Sequence, residues 1–137
     1  MTVLVTGGAG YIGSHMVHDL VDAGESVTVL DNLSTGFRFL IPASVHFVSG
    51  STGDRPLVGE IIARQNVTAI VHFAASTVVP DSIADPLGYY NNNTMNTCAL
   101  LDTAIKAGVR QLIFSSTAAV YGTTDATSVR EDRKSVV

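Results

Sequence analysis

The stretch Thr6-Gly7-Gly8-Ala9-Gly10-Tyr11-Ile12-Gly13 holds the residues with the clearest chemical purpose. Gly7, Gly10 and Gly13 are spaced G-x-x-G-x-x-G between a short apolar run and a helical pattern. Without Cβ atoms the chain can turn tightly, approach a pyrophosphate, and bring a helix close to a sheet. The helix start then offers N–H groups and the positive end of its dipole to an anion. Asp31 ends the next apolar run, 18 residues after Gly13, where a carboxylate accepts the hydroxyls of an adenosine ribose. That carboxylate also repels a 2′-phosphate, so the expected ligand is NAD rather than NADP. Arg38, seven residues further on, is the residue that contests this preference.

These groups need a strand–turn–helix–strand unit to hold them. Val3-Leu4-Val5 is an unbroken apolar run, as expected of a parallel strand covered on both faces. From Tyr11 to Ala23, the residues Ile12, Met16, Leu20 and Ala23 recur at helical steps, and Gly24 supplies the stop. Val27–Leu30 reads as the second strand and Val45–Val48 as a weaker third. Asp54-Arg55 leads into a helix with Pro56 as its first residue and Leu57, Val58, Ile61 and Ile62 as its buried face. Val67–Phe73 reads as the fourth strand, followed by a loop through Pro80 and Pro86. A long helix from about Gly88 to Ala107 and a fifth strand, Gln111–Ser116, complete the pattern. The alternation predicts an α/β Rossmann fold: a doubly wound parallel sheet of about five strands with right-handed crossovers. Residues 1–122 are expected to form the NAD-binding domain, and 123–137 a polar, patternless tail.

Composition narrows the function classes. A chain of 137 residues makes one domain, and 46% hydrophobic against 15% charged residues gives it a substantial core. No apolar run approaches the roughly 20 residues of a membrane span, so no membrane association is expected. The net charge of −4 comes without a basic stripe, which argues against nucleic-acid binding. Cys98 is the single cysteine, and no secretory signal opens the chain, so the expectation is cytoplasmic. His15, His18, His46 and His72 share no metal-ligand spacing, so no metal is expected.

Four segments resemble the extended short-chain dehydrogenases/reductases, and most closely the UDP-glucose 4-epimerases among them. They are Thr6–His15 (TGGAGYIGSH), Asp31–Gly36 (DNLSTG), the pair His72–Ala75 (HFAA) with Pro86 to Asn93, and Phe114–Gly122 (FSSTAAVYG). The glycine turn marks the superfamily, whereas DNLSTG and YY-x-NN are closer to the epimerases. The resemblance implies that Tyr11 and Ile12 cover the pyrophosphate and that Asp31, Asn32 and Ser34 hold the adenosine ribose. It further implies that Phe73, Ala74 and Ala75 line the cofactor cleft and that Asn92 reaches the cofactor from the long helix. Thr117 would hydrogen-bond the sugar O4 of a UDP-sugar during hydride transfer. A homodimer through the long helix is implied for the full-length parent.

Two departures accompany the match. Gly50-Ser51-Thr52 lacks the acid that usually binds adenine, and Ser76-Thr77 replaces a lysine found near the nicotinamide in some epimerases. The family's base is the tyrosine of Tyr-x-x-x-Lys, whose lysine lowers the phenol pKa from about 10. No Tyr-x-x-x-Lys occurs here; four residues after Tyr121 stands Asp125. The expectation is therefore the NAD-binding part of an epimerase, with the C-terminal substrate domain absent and no turnover by this chain alone. Asp132-Arg133-Lys134-Ser135-Val136-Val137 departs from the family and matches one reading frame of a sequencing adapter, so 132–137 are expected to be non-native. Related readings are a 4,6-dehydratase, a uronate epimerase, a 4-reductase, or a non-catalytic NAD-binding module. Ala118-Ala119 after Thr117 lack the Asp-Glu pair with which a dehydratase expels water.

Overall fold

Apolar runs of three or four residues are too short for helices and must be strands buried from both sides. They lie at the centre of the computed structural model, which describes residues 1–117 and Tyr121. β1 (Thr2–Thr6), β2 (Ser26–Asp31), β3 (His46–Ser49), β4 (Ala69–His72) and β5 (Gln111–Phe114) form one parallel sheet, ordered β3-β2-β1-β4-β5. This is the expected doubly wound sheet. The strand order reverses between β1 and β4, and open α/β sheets take ligands at the carboxyl ends beside such a reversal. The proposed boundary at residue 122, Ala118-Ala119 and the tail 123–137 lie outside the described residues.

Alternation along β1 sends its side chains into two cores. Val3 and Val5 join Val17 of α1 (Tyr11–Asp22) with Val29 and Val71 on one face. Leu4 joins Val58, Ile61 and Ile62 of α2 (Arg55–Gln65) and Leu100 of α5 (Asn96–Lys106) on the other. Leu4, Ile70 and Leu100 are fully buried, which stabilises the fold by about 1.5–3 kcal/mol for each. The Asp54 side chain accepts the Leu57 N–H at the start of α2, and Asn66 ends that helix in the left-handed conformation. Such a cap contributes about 1 kcal/mol. β5 is exposed along its whole length, with Ile113 and Phe114 more than half accessible, the kind of strand edge that invites pairing.

Several details differ from the sequence expectation. Ile12 is not part of the buried stripe: α1 buries Gly13, Ser14 and Val17, while Ile12 is 59% exposed at the carboxyl end of the sheet. The segment around Pro80 and Pro86 is helical, with α3 (Val79–Ala84) and α4 (Pro86–Tyr90) in place of a loop. Both prolines sit in a first helical turn, where the missing N–H removes no hydrogen bond. The long helix therefore starts at Pro86 rather than Gly88, with Asp85 accepting the Gly88 N–H, and it widens into a π turn over Asn91–Met95 before α5. The fourth strand shortens to Ala69–His72, and Pro56 is the second residue of α2.

Candidate functional site

The glycine turn rises directly from β1. Gly7 takes φ +70°, and its N–H donates to the Leu30 carbonyl at 2.9 Å, so the turn bends over β2. A Cβ at Gly7 would lie 2.6 Å from the Ala74 nitrogen, and one at Gly13 only 2.2 Å from the Gly7 carbonyl oxygen. Backbone thus packs on backbone, and the start of α1 is held against the end of β1. Gly10 occupies the N-cap position without a side-chain cap, which leaves first-turn N–H groups for an anion. Tyr11 is 80% exposed with its ring edge-on to His15, beside the exposed Ile12.

Asp31 stands at the end of β2, buried, with both carboxylate oxygens in use. Oδ2 accepts the Ala9 N–H at 2.9 Å and Oδ1 accepts the Leu33 N–H at 2.8 Å. A carboxylate offers about four lone-pair sites, so two remain to accept from hydroxyl donors. Leu33 has φ +58°, a conformation that costs a non-glycine residue about 1–2 kcal/mol. The Asp31 bond, together with the Asn32 Oδ1 acceptor for the Ser34 N–H at 3.0 Å, fixes this turn. Arg38 is engaged elsewhere: its guanidinium lies over the Phe47 ring at 4.8 Å and donates to the Ile41 carbonyl at 3.0 Å.

The opposite wall follows β4. The Phe73 N–H donates to the Thr6 carbonyl at 2.9 Å, the Phe73 side chain packs partly into the α1 core, and the Ala74 backbone meets Gly7. Asn92 lies in the π turn, and its Nδ2 donates to Ser76 Oγ at 2.9 Å. Thr117 is exposed just beyond β5. The structure therefore gathers the glycine turn, Asp31 and residues 73–76 around the carboxyl ends of β1 and β4. The Asn92 side chain hydrogen-bonds Ser76, Asn93 and Asn96, and it reaches the wall through Ser76.

Sequence reasoning missed the partners that build this wall. Asn93 receives the Ser76 N–H on Oδ1 at 2.8 Å and donates from Nδ2 to the Ser76 carbonyl at 2.9 Å. Thr97 Oγ1 donates to the Asn93 carbonyl at 2.7 Å and accepts from His72 Nε2 at 2.9 Å. The Asn-rich run 91–93 was the available signal, but a solvated helix start reads the same way.

His72 is 2% exposed and bonds Thr6 Oγ1 through Nδ1 at 2.6 Å. The Thr97 hydroxyl spends its proton on Asn93, so His72 Nε2 carries the hydrogen and Nδ1 accepts from Thr6. Burial holds the ring's pKa below its ordinary value. For such a group the unfolded chain binds the proton more readily, so stability rises with pH across the window. The contribution is complete above about pH 6.5 and is lost as pH falls towards the lowered folded value. Urea midpoints between pH 7.5 and 5 should decline, and less steeply in His72→Asn; parallel curves would refute the assignment.

Residues 3–135 match the NAD dependent epimerase/dehydratase family. The chain is 49% identical over 134 residues to the UDP-glucose 4-epimerase of Azospirillum brasilense, covering 98% of this chain and 38% of that protein. It superposes with TM-score 0.88 and 38% identity on the Thermus thermophilus UDP-glucose 4-epimerase complexed with NAD, over 99% of this chain and 44% of that one. The TM-score is also 0.88, at 36% identity, for the Stenotrophomonas maltophila UDP-glucose 4-epimerase with bound NAD and formylated UDP-arabinopyranose, over 99% of this chain and 43% of that one. The chain thus spans about two fifths of the length of these relatives.

Proposed function

The chain belongs to the NAD dependent epimerase/dehydratase family, and from that premise we propose that residues 1–122 are the NAD-binding portion of a cytoplasmic UDP-glucose 4-epimerase. The parent activity is the interconversion of UDP-glucose and UDP-galactose through transient oxidation at C4. One observation carries the reading: the uncapped start of α1 and the Asp31 carboxylate flank the same glycine turn at the carboxyl end of the sheet. That donor set fits a dinucleotide, with N–H groups for the pyrophosphate and free lone pairs for the ribose. NAD, when bound, supplies reversible hydride acceptance.

This chain's own residues would bind and orient. Gly7, Gly10 and Gly13 shape the phosphate seat, and Tyr11 and Ile12 close over it. Asp31, with Asn32 and Ser34, holds the ribose, and engagement of Arg38 on Phe47 and Ile41 supports NAD over NADP. Phe73, Ala74 and Ala75 form the cleft wall, Asn92 supports it from the π turn, and the Thr117 hydroxyl meets the sugar O4. With no Tyr-x-x-x-Lys among its 137 residues, the chain binds without turning over. Calorimetric titration should give saturable one-to-one binding of NAD and weaker binding of NADP, with UDP-galactose left unchanged. Binding of ATP or a flavin in place of NAD would overturn the reading.

A further inference from the structure

Ser76 is held from the helical side by two consecutive amides, an arrangement a regular helix does not readily give. Successive side chains on an α-helix point about 100° apart, so neighbours do not share a target. Here Asn92 Nδ2 reaches Ser76 Oγ at 2.9 Å, while Asn93 takes the Ser76 N–H at 2.8 Å and its carbonyl at 2.9 Å. Asn93 thus serves Ser76 as a neighbouring strand would, satisfying both backbone groups just past the end of β4. Both amides lie in the π turn Asn91–Met95, and π turns are frequent at functional sites. Widening the turn lets the two point the same way.

The turn rests on a buried chain. Thr97 Oγ1 donates to the Asn93 carbonyl at 2.7 Å, His72 Nε2 donates to Thr97 Oγ1 at 2.9 Å, and Thr6 Oγ1 bonds His72 Nδ1 at 2.6 Å. Thr6 ends β1 immediately before Gly7, and His72 ends β4 immediately before Phe73. One path of hydrogen bonds therefore ties the two strand ends that carry the glycine turn and the cleft wall to the turn that pins Ser76. The His72 ring also stacks on Phe114 of β5, with centroids 5.7 Å apart.

We propose that Thr97 and His72 are positioning residues for the dinucleotide cleft, acting through the π turn to fix Ser76 and with it the wall 73–76. The proposal rests on the dinucleotide reading above and extends it to residues that touch no ligand. Thr97→Val removes the hydroxyl while keeping a β-branched side chain. In this variant NAD should bind about tenfold more weakly, and the Ser76 amide should exchange with solvent at least tenfold faster in the ligand-free chain. Thr97→Ser should restore both. Ile61→Val, a core change in α2 that removes none of these hydrogen bonds, should move neither.

Asn93→Ala provides a second route should Thr97→Val fold poorly. It removes both the acceptor for the Ser76 N–H and the donor to the Ser76 carbonyl, and it should reproduce the faster exchange and weaker binding. Unchanged Ser76 exchange in both variants, or equal weakening in Ile61→Val, would overturn the proposal. Failure of the parent chain to bind NAD would instead sink the dinucleotide reading, while the ligand-free exchange would still decide whether the relay holds Ser76.

Discussion

Gly13→Ala is expected to weaken NAD binding at least 100-fold and to destabilise the fold. In an ordinary helix interior the change would stabilise by about 1 kcal/mol, because alanine is the better helix former. Here the new Cβ would sit 2.2 Å from the Gly7 carbonyl oxygen and 2.8 Å from the Gly8 Cα. Those atoms are backbone, so they cannot rotate away; the start of α1 must lift from the turn. Overpacking of this kind costs about 1–3 kcal/mol, which outweighs the propensity gain. Lifting the helix start also moves the N–H groups away from the proposed phosphate seat. Gly59→Ala is the internal control, since its Cβ would meet only Thr103 Cγ2 at an ordinary 3.7 Å. It should raise the thermal midpoint slightly and leave NAD binding alone. Calorimetry and thermal melts on the pair check this, and equal NAD affinity in Gly13→Ala and Gly59→Ala would refute it.

Asp31→Ala should show the second-largest effect, in two separable parts. The first is structural: the Ala9 N–H, in a fully buried residue, loses its 2.9 Å acceptor. An orphaned buried donor costs about 1–3 kcal/mol. The Leu33 N–H loses its partner too, and with it the bond that steadies a left-handed residue. The second part is recognition: on the proposed function, the ribose hydroxyls lose their acceptor. Together these should weaken NAD binding by about 30- to 100-fold, or about 2–3 kcal/mol. Removing the carboxylate also removes the repulsion of a 2′-phosphate, so the NAD-to-NADP affinity ratio should fall towards one. Parallel titrations with the two dinucleotides measure that ratio. A ratio unchanged from the parent would show that Asp31 does not face the ribose.

The two substitutions illustrate how unevenly the site was legible. Gly13 and Asp31 stand out in the sequence because each sits at a fixed spacing from an apolar run. The doubling of roles at Asp31 did not stand out. Nothing local reveals that a carboxylate expected to meet a ligand also holds the N–H groups of Ala9 and Leu33. Ile12 was misplaced for a related reason. Its three- and four-residue spacing fits a helical stripe, but the close seat at Gly13 turns the buried face towards Gly13 and Val17. The prolines at 80 and 86 read as loop markers because their breaking effect inside a helix is strong, and only their first-turn positions make them compatible with α3 and α4.

Residues adjacent along the chain were enough to specify the glycine turn, the strand beneath it, the carboxylate after the second strand and the alternation that yields a parallel sheet. Each of these is a short-range pattern in which backbone geometry converts spacing directly into position. The tertiary structure alone decided that Asn93 serves Ser76 as a strand partner, that Thr6, His72 and Thr97 connect in one buried chain, and that Arg38 is spent on Phe47. Those contacts join residues 9 to 66 positions apart, and they depend on which strands lie side by side and on the phase of a widened helical turn. Phase and strand order are set by the packing of the whole sheet against its helices, and no single segment carries them.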